Sequence, residues 1–217
     1  MVASCGRLLT PAEREFMRGL QGESFNPGPV RIARNPLVGI SEKTYPARPR
    51  KTCRERIQPP SDAPTFTGST AGIVLFQHLH TSPGHYLKDY VARPDGALNL
   101  AAAMFFAHEM THVWQWQNRD VTGYHPFRAF AEYWNIGDPY LFDSDSRHRF
   151  LDYGYEQQAS LVEEYVCCRA LDPGGERTAR LERLLRQNMP LAPRIDRLDG
   201  LVTLVPWDGV ERHGICS

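Results

Sequence analysis

The clearest hydrophobic signal is an unbroken apolar run from Leu100 to Ala107. Periodicity carries on from it to about Asn118, which predicts a helix apolar on nearly every side, suited to the middle of a domain. A second helix is predicted over about Tyr153 to Leu171, stopped by Asp172-Pro173-Gly174-Gly175. A third runs from about Glu176 to Asn188, with Leu181, Leu184 and Leu185 on one stripe. Thr10-Pro11-Ala12-Glu13 predicts a capped N-terminal helix ending near Gly19–Gly22. Val30-Arg31-Ile32-Ala33 alternates as a short strand. Thr65-Phe66-Thr67 and Ile73-Val74-Leu75-Phe76 read as a strand pair, the second member buried. Residues 43–64, with five prolines, predict a long surface loop. Residues 80–97 and 119–150 predict further loops, and Leu201–Val205 a last strand.

Without repeats or a clear linker, these elements predict one compact α+β domain over residues 1–217. Its parts are an N-terminal helix within about 1–25, the loop 43–64, and a C-terminal helix and irregular tail over 172–217. Composition agrees with a globular chain: 41% hydrophobic and 23% charged residues leave enough apolar surface for a core. The apolar run is far shorter than the ~20 residues of a membrane helix, so no membrane span is expected.

Lys plus Arg and Asp plus Glu both total 25, a balance that argues against nucleic acid as a partner. The balance hides an asymmetry. Residues 31–56 hold eight basic and two acidic side chains, and residues 132–164 hold eight acidic and two basic ones. A groove lined by the acidic segment would suit cationic or amine-bearing substrates. The five cysteines (Cys5, Cys53, Cys167, Cys168, Cys216) fit no zinc spacing. They predict a chain that folds in a reducing compartment, with Cys167 and Cys168 as buried small residues. No ordinary signal peptide is visible, and a cytoplasmic location in the producing cell is expected.

His108-Glu109-Met110-Thr111-His112 is an HExxH pattern inside the apolar helix. Positions i and i+4 lie about 40° apart and about 6 Å along the axis, so both imidazoles can grip one metal ion. Glu109 sits on the flank, within reach of a metal-bound water whose pKa a zinc ion lowers towards ~7. The predicted cofactor is Zn2+, with Glu109 as general base. Burying two imidazoles and a carboxylate without partners costs several kcal/mol, so their place beside an apolar stretch points to a site.

Catalytic zinc takes three protein ligands. Gln115 and Asn118 occupy the positions where an extended pattern would place a glycine and, three residues later, a third histidine. Glu156, sharing a helix face with the small Ala159, is the leading third ligand, ahead of Glu163 or Glu164 and of His125, His148 or Asp145. Glu163, two turns on, is also a candidate to orient a histidine. Tyr153, Tyr155, His148, Tyr124 and His125 are candidates to stabilise an oxyanion. Trp114 is expected in the core and Trp116 beside the site or a partner. His78, His80 and His85 are expected to be loop residues or cleft lining.

The segment Ala107-His108-Glu109-Met110-Thr111-His112-Val113-Trp114-Gln115 resembles the zinc-peptidase-like domain of Vgr-related proteins and toxins of bacterial contractile injection systems. Val30-Arg31-Ile32, Thr65-Phe66-Thr67-Gly68 and Ile73-Val74-Leu75-Phe76 precede it in the order the family shows. The resemblance is loose over about residues 8–170 and tight over 105–117. Glu156-Gln157-Gln158-Ala159 looks like the ExxA helix of the gluzincin type, with Ser160 where Asp is common. The resemblance implies a zincin-like helical core, with a small mixed or antiparallel sheet beside the HExxH helix and a second, Glu-bearing helix. It implies zinc held by His108, His112 and Glu156, and an association with type VI secretion. The expected function is a zinc metallohydrolase, foremost a metallopeptidase with a peptide or protein substrate. Delivery by a secretion system, and a secretion-apparatus or immunity partner, are implied with it. The rival expectations are a zinc-stabilised interaction module without turnover and a hydrolase of peptidoglycan peptides.

Overall fold

A computed structural model describes residues 6–135, 137–143 and 146–217. Among them, seven helices and three small sheets make a mixed α+β architecture. Helix α1 (Pro11–Gln21) starts as expected: Thr10 Oγ1 accepts from Glu13 N, and Glu13 accepts from Thr10 N in return. Strand β1 (Arg31–Arg34) follows, then β2 (Glu42–Pro46), the short helix α2 (Cys53–Arg56), and β3 (Thr65–Ser69). Next come β4 (Gly72–Leu75), β5 (His78–Thr81) and β6 (Leu98–Asn99), leading into α3 (Leu100–Gln117). Two further helices, α4 (Arg119–Thr122) and α5 (Pro126–Asn135), precede α6 (Tyr155–Leu171), α7 (Glu176–Leu185) and β7 (Thr203–Leu204).

The largest sheet has the order β1-β5-β4, with β1 parallel and β4 antiparallel to β5. The ribbon β2–β3 is a separate antiparallel pair, and β6–β7 a parallel one. Helix α3 is the axis of the domain. Asn99 caps its first turn through Ala102 N, and Asn118 closes its last turn by donating to Trp114 O. Helix α6 packs along it, with α1 and β4 on other sides, which explains an apolar pattern all round α3. Phe106, Met110, Val113 and Trp114 of α3 are buried with Leu161, Val162, Tyr165 and Val166 of α6 and Phe16, Met17 and Leu20 of α1. Each such side chain contributes roughly 1.5–3 kcal/mol through burial. Trp114 lies in this core, its indole donating to Ser24 Oγ at 2.9 Å.

Four expectations are corrected. Residues 65–69 pair with 42–46, not with the following strand, and β4 is an edge strand with two exposed side chains rather than a buried one. Residues 43–64 are not a plain surface loop: they hold β2, α2 and the buried Tyr45, Cys53, Arg54 and Ile57. Residues 119–150 contain helices α4 and α5. The cysteines are not isolated buried thiols: Cys53 is bonded to Cys167 and Cys168 to Cys216. Neighbours on a helix point about 100° apart, so Cys167 and Cys168 reach different partners, each far away in sequence. Cys5 lies outside the described residues. No helix among the described residues is long and apolar enough to cross a membrane.

Candidate metal centre and cleft

The pairing of α3 with α6 brings His108, His112 and Glu156 together, and their ligand atoms all lie within 4.8 Å of one another. Glu156 Oε2 sits 3.2 Å from His108 Nε2 and 3.3 Å from His112 Nε2. A tetrahedral ion with bonds of about 2.0–2.1 Å has donor–donor edges of roughly 3.3 Å, so the spacing suits zinc. Glu156 is the second residue of α6, where the helix dipole favours a carboxylate.

The histidines are oriented by different partners. His112 Nδ1 donates to Gln115 Oε1 at 2.8 Å. The amide orientation of Gln115 follows from its Nε2, which donates to Tyr155 O and Gln158 Oε1. Neutral His112 therefore turns the lone pair of Nε2 towards a lone pair of Glu156. A proton or a cation between them relieves that repulsion, so the residues present fit a metal ion. His108 Nδ1 lies 3.3 Å from Glu163 Oε2, though out of hydrogen-bond alignment. Glu163 stands one turn after Ser160, the position where the family pattern commonly has Asp. Glu164 points elsewhere and accepts from the amides of Cys53 and Arg54.

Electrostatics match this arrangement. Burial pulls the His108 imidazolium down, but the carboxylates of Glu156 and Glu163 outweigh it and push the pKa up to about 10. His112 is raised as well, its desolvation outweighed mainly by the charge of Glu156. Burial pushes Glu156 up, yet the imidazoles of His112 and His108 hold it well below the usual carboxylate range. Glu109, not bracketed in this way, is raised by burial.

Beside the site runs a cleft of about 720 Å³ that His108, Glu109 and Glu163 help to line. Its apolar wall is built from Tyr45 and Phe66 of the β2–β3 ribbon, Phe105 of α3, and Tyr133 and Tyr140. The ribbon is tied across by Tyr45 and Tyr133, whose hydroxyls are 2.9 Å apart, and by Arg48, paired with both oxygens of Asp138. The acidic segment does not line this groove: the basic segment supplies Arg48, Arg50 and Arg54, the carboxylates are Glu55, Glu109 and Glu163, and Glu163 is the sole one from 132–164 among the described residues.

The other predicted residues are placed as follows. Tyr153 and His148 pack on each other and line a separate cavity of about 240 Å³. The Tyr155 hydroxyl donates to Gly123 O. His125 packs against Phe76 and Trp116. His85 lines the cleft with its Nδ1 2.7 Å from Ser82 Oγ, while His78 and His80 lie on β5. Asp145 lies outside the described residues. Tyr124 stacks on His112 with centroids 6.0 Å apart, and Tyr140 lies 5.7 Å from His108. Both phenols are raised above their ordinary range, first by burial and next by the charge of Glu156.

Gln115, Tyr140, Arg54 and Gly72 were missed by sequence reasoning. Gln115 had a signal, standing three residues after His112 on the same helix face. The other three reach the site from distant segments and had none.

Fold and site together describe an α+β protein with two histidines and a glutamate converging beside a cleft. No family model matches the chain. The type VI secretion system spike protein VgrG2b of Pseudomonas aeruginosa (strain ATCC 15692 and its synonyms) is 32% identical over a stretch covering 36% of this chain. That stretch is 9% of the spike protein, so the chain matches only a small part of its length. The solved effector domain of Pseudomonas aeruginosa VgrG2b has the same fold, with a TM-score of 0.55, 21% identity, and coverage of 85% of this chain and 86% of that one.

Proposed function

We propose that this chain is a zinc-dependent metallohydrolase of the gluzincin type that cleaves a peptide bond, acting as an effector of a type VI secretion system. The observation that carries the reading is the convergence of His108, His112 and Glu156, whose donor atoms meet at a spacing suited to one cation. The secretion context is supported by the likeness to VgrG2b.

When bound, the ion supplies Lewis-acid polarisation and makes water acidic enough to be deprotonated near neutral pH. The chain's own residues do the rest. Glu109, on the cleft side of α3, takes a proton from the attacking water at its carboxylate and returns it to the leaving amine. Its raised pKa brings that proton transfer closer to neutral pH. Gln115 holds His112 in the tautomer that leaves Nε2 free to bind. Tyr140 or Tyr124 presents a hydroxyl to the developing oxyanion. The aromatic wall excludes water and accepts an apolar or aromatic side chain of the substrate. An interaction module without turnover has no use for a cleft of this size beside the metal ligands, which weighs against that alternative.

The test is metal content by elemental analysis of the wild type and of Glu156→Ala. One equivalent of zinc in the wild type, lost or weakened in the variant, is expected. A wild-type protein that neither carries zinc nor takes it up on addition overturns the reading.

A further inference from the structure

Helix α2 is only four residues long, yet it carries a buried arginine and a disulfide side by side. The Arg54 guanidinium joins two parts of the site. Its Nη1 lies 3.4 Å from Glu163 Oε2, the same oxygen that lies 3.3 Å from His108 Nδ1. Its Nη2 donates to Tyr140 O at 2.7 Å, holding the residue whose ring lies beside His108. Nε donates to Glu55.

We propose that Arg54 is a positioning residue of the metal site, acting through Glu163 and the Tyr140 carbonyl, and that the Cys53–Cys167 bond holds it in place. The inference rests on the zinc reading above. Within two turns the inner face of α6 carries Glu156 and Glu163, two carboxylates within 3.2–3.3 Å of His108 nitrogens. Burying them together is costly without a cation. Arg54 provides that cation, and its planar fork meets a carboxylate and a carbonyl at once, which a lysine ammonium on a flexible stem does less well. Freed of Arg54, Glu163 loses the partner that fixes its oxygen beside His108 Nδ1, and residues that orient a ligand histidine typically change metal affinity 10–100-fold.

A four-residue helix has little stability of its own. What seats this one on α6 is the covalent bond from Cys53 to Cys167, together with Glu164 accepting from Cys53 N at 2.8 Å and Arg54 N at 3.2 Å. Arg54 immediately follows the bonded cysteine. The metal site is thereby linked to a thiol–disulfide equilibrium: two-electron reduction by a dithiol yields two thiols, frees α2, and loosens the grip on Glu163.

The experiment measures zinc affinity by chelator competition in wild type, Arg54→Met, Arg54→Lys and the double variant Cys53→Ala/Cys167→Ala. It adds hydrogen exchange of residues 138–143 in the metal-free proteins, a readout independent of turnover. Arg54→Met is expected to weaken zinc 10-fold or more and to speed exchange around Tyr140. Arg54→Lys should recover part of the affinity, and the cysteine variant should weaken zinc in the same direction. Wild-type affinity and wild-type exchange in a folded Arg54→Met protein overturn the inference while leaving the zinc reading intact. If Arg54→Met does not fold, unchanged affinity in both Arg54→Lys and the cysteine variant overturns it. A wild type that takes up no zinc overturns the reading and the inference together.

Discussion

Gly72 and Glu109 are in close approach: a Cβ built on Gly72 would lie 2.8 Å from Glu109 Oε1 and 3.0 Å from the Phe105 ring. The edge strand β4 thus passes against the carboxylate assigned as the general base, and only glycine leaves room for it. The Gly72→Ala variant must move Glu109 or β4 by several tenths of an ångström. A misplacement of about 1 Å in a catalytic group costs on the order of 100-fold in rate. The expected outcome is a fall in kcat of at least 10-fold with zinc content unchanged. Kinetics and elemental analysis of one preparation decide it: full activity would mean that the carboxylate tolerates the shift, and loss of zinc would mean that the metal ligands moved instead.

Glu109→Gln provides the companion measurement. Glutamine keeps the shape of the side chain but cannot take a proton from water. Zinc binding is expected to persist and hydrolysis to fall by the 10²–10⁴-fold typical of a lost general base. Retained turnover would show that another group performs the proton transfer.

The central helices were legible because their signal is local. The apolar run before His108 and the i,i+4 spacing of the histidines lie within one helix, and Glu156 lies within another that ends at a Pro-Gly-Gly stop. Their mutual approach follows from small and apolar residues facing each other along α3 and α6. Sheet pairing was less legible. Thr65–Ser69 has the composition of a strand, but nothing local says that its partner is Glu42–Pro46 rather than Gly72–Leu75. The same limit hid the disulfides, whose members are 114 and 48 residues apart. It also hid Arg54, which a reading of charge runs places on a solvated loop. The cleft lining is aromatic and mixed in charge, with three arginines and three glutamates, because the 43–66 segment folds back over α3.

Gln115 is predicted to set zinc affinity through His112. Gln115→Met keeps volume and helix propensity while removing the acceptor for His112 Nδ1 and the donors to Tyr155 O and Gln158 Oε1. Zinc affinity is expected to fall 10–100-fold, the range typical of a partner that fixes a ligand histidine. Stability should fall by about 1–3 kcal/mol, because buried polar groups lose their partners. Chelator competition separates the two effects, and unchanged affinity in a destabilised protein would reduce Gln115 to a packing role.

Protons and zinc are expected to compete for this site. In the metal-free protein the pKa of His108 is about 10, against an ordinary value of 6.5. Its contribution to stability is therefore complete below about pH 6.5 and is lost as pH rises through about 10. Glu156 is shifted the opposite way, from an ordinary 4.5 downwards. Its contribution is present above about pH 4.5 and is lost as pH falls through its depressed value. The metal-free protein should thus be most stable between about pH 4.5 and 6.5 and soften towards alkaline pH. Zinc needs the imidazole lone pairs, so binding at pH 7 must expel the proton held on His108. Apparent zinc affinity should rise from pH 6 to pH 9, while the melting temperature of the metal-free protein falls over the same interval. Calorimetry in buffers of different ionisation enthalpy should register one proton or more released per zinc at pH 7, since His108 gives one and His112, raised as well, adds to it. A release of zero would mean that His108 is already neutral in the metal-free state, and that the carboxylates of Glu156 and Glu163 do not hold a proton on it.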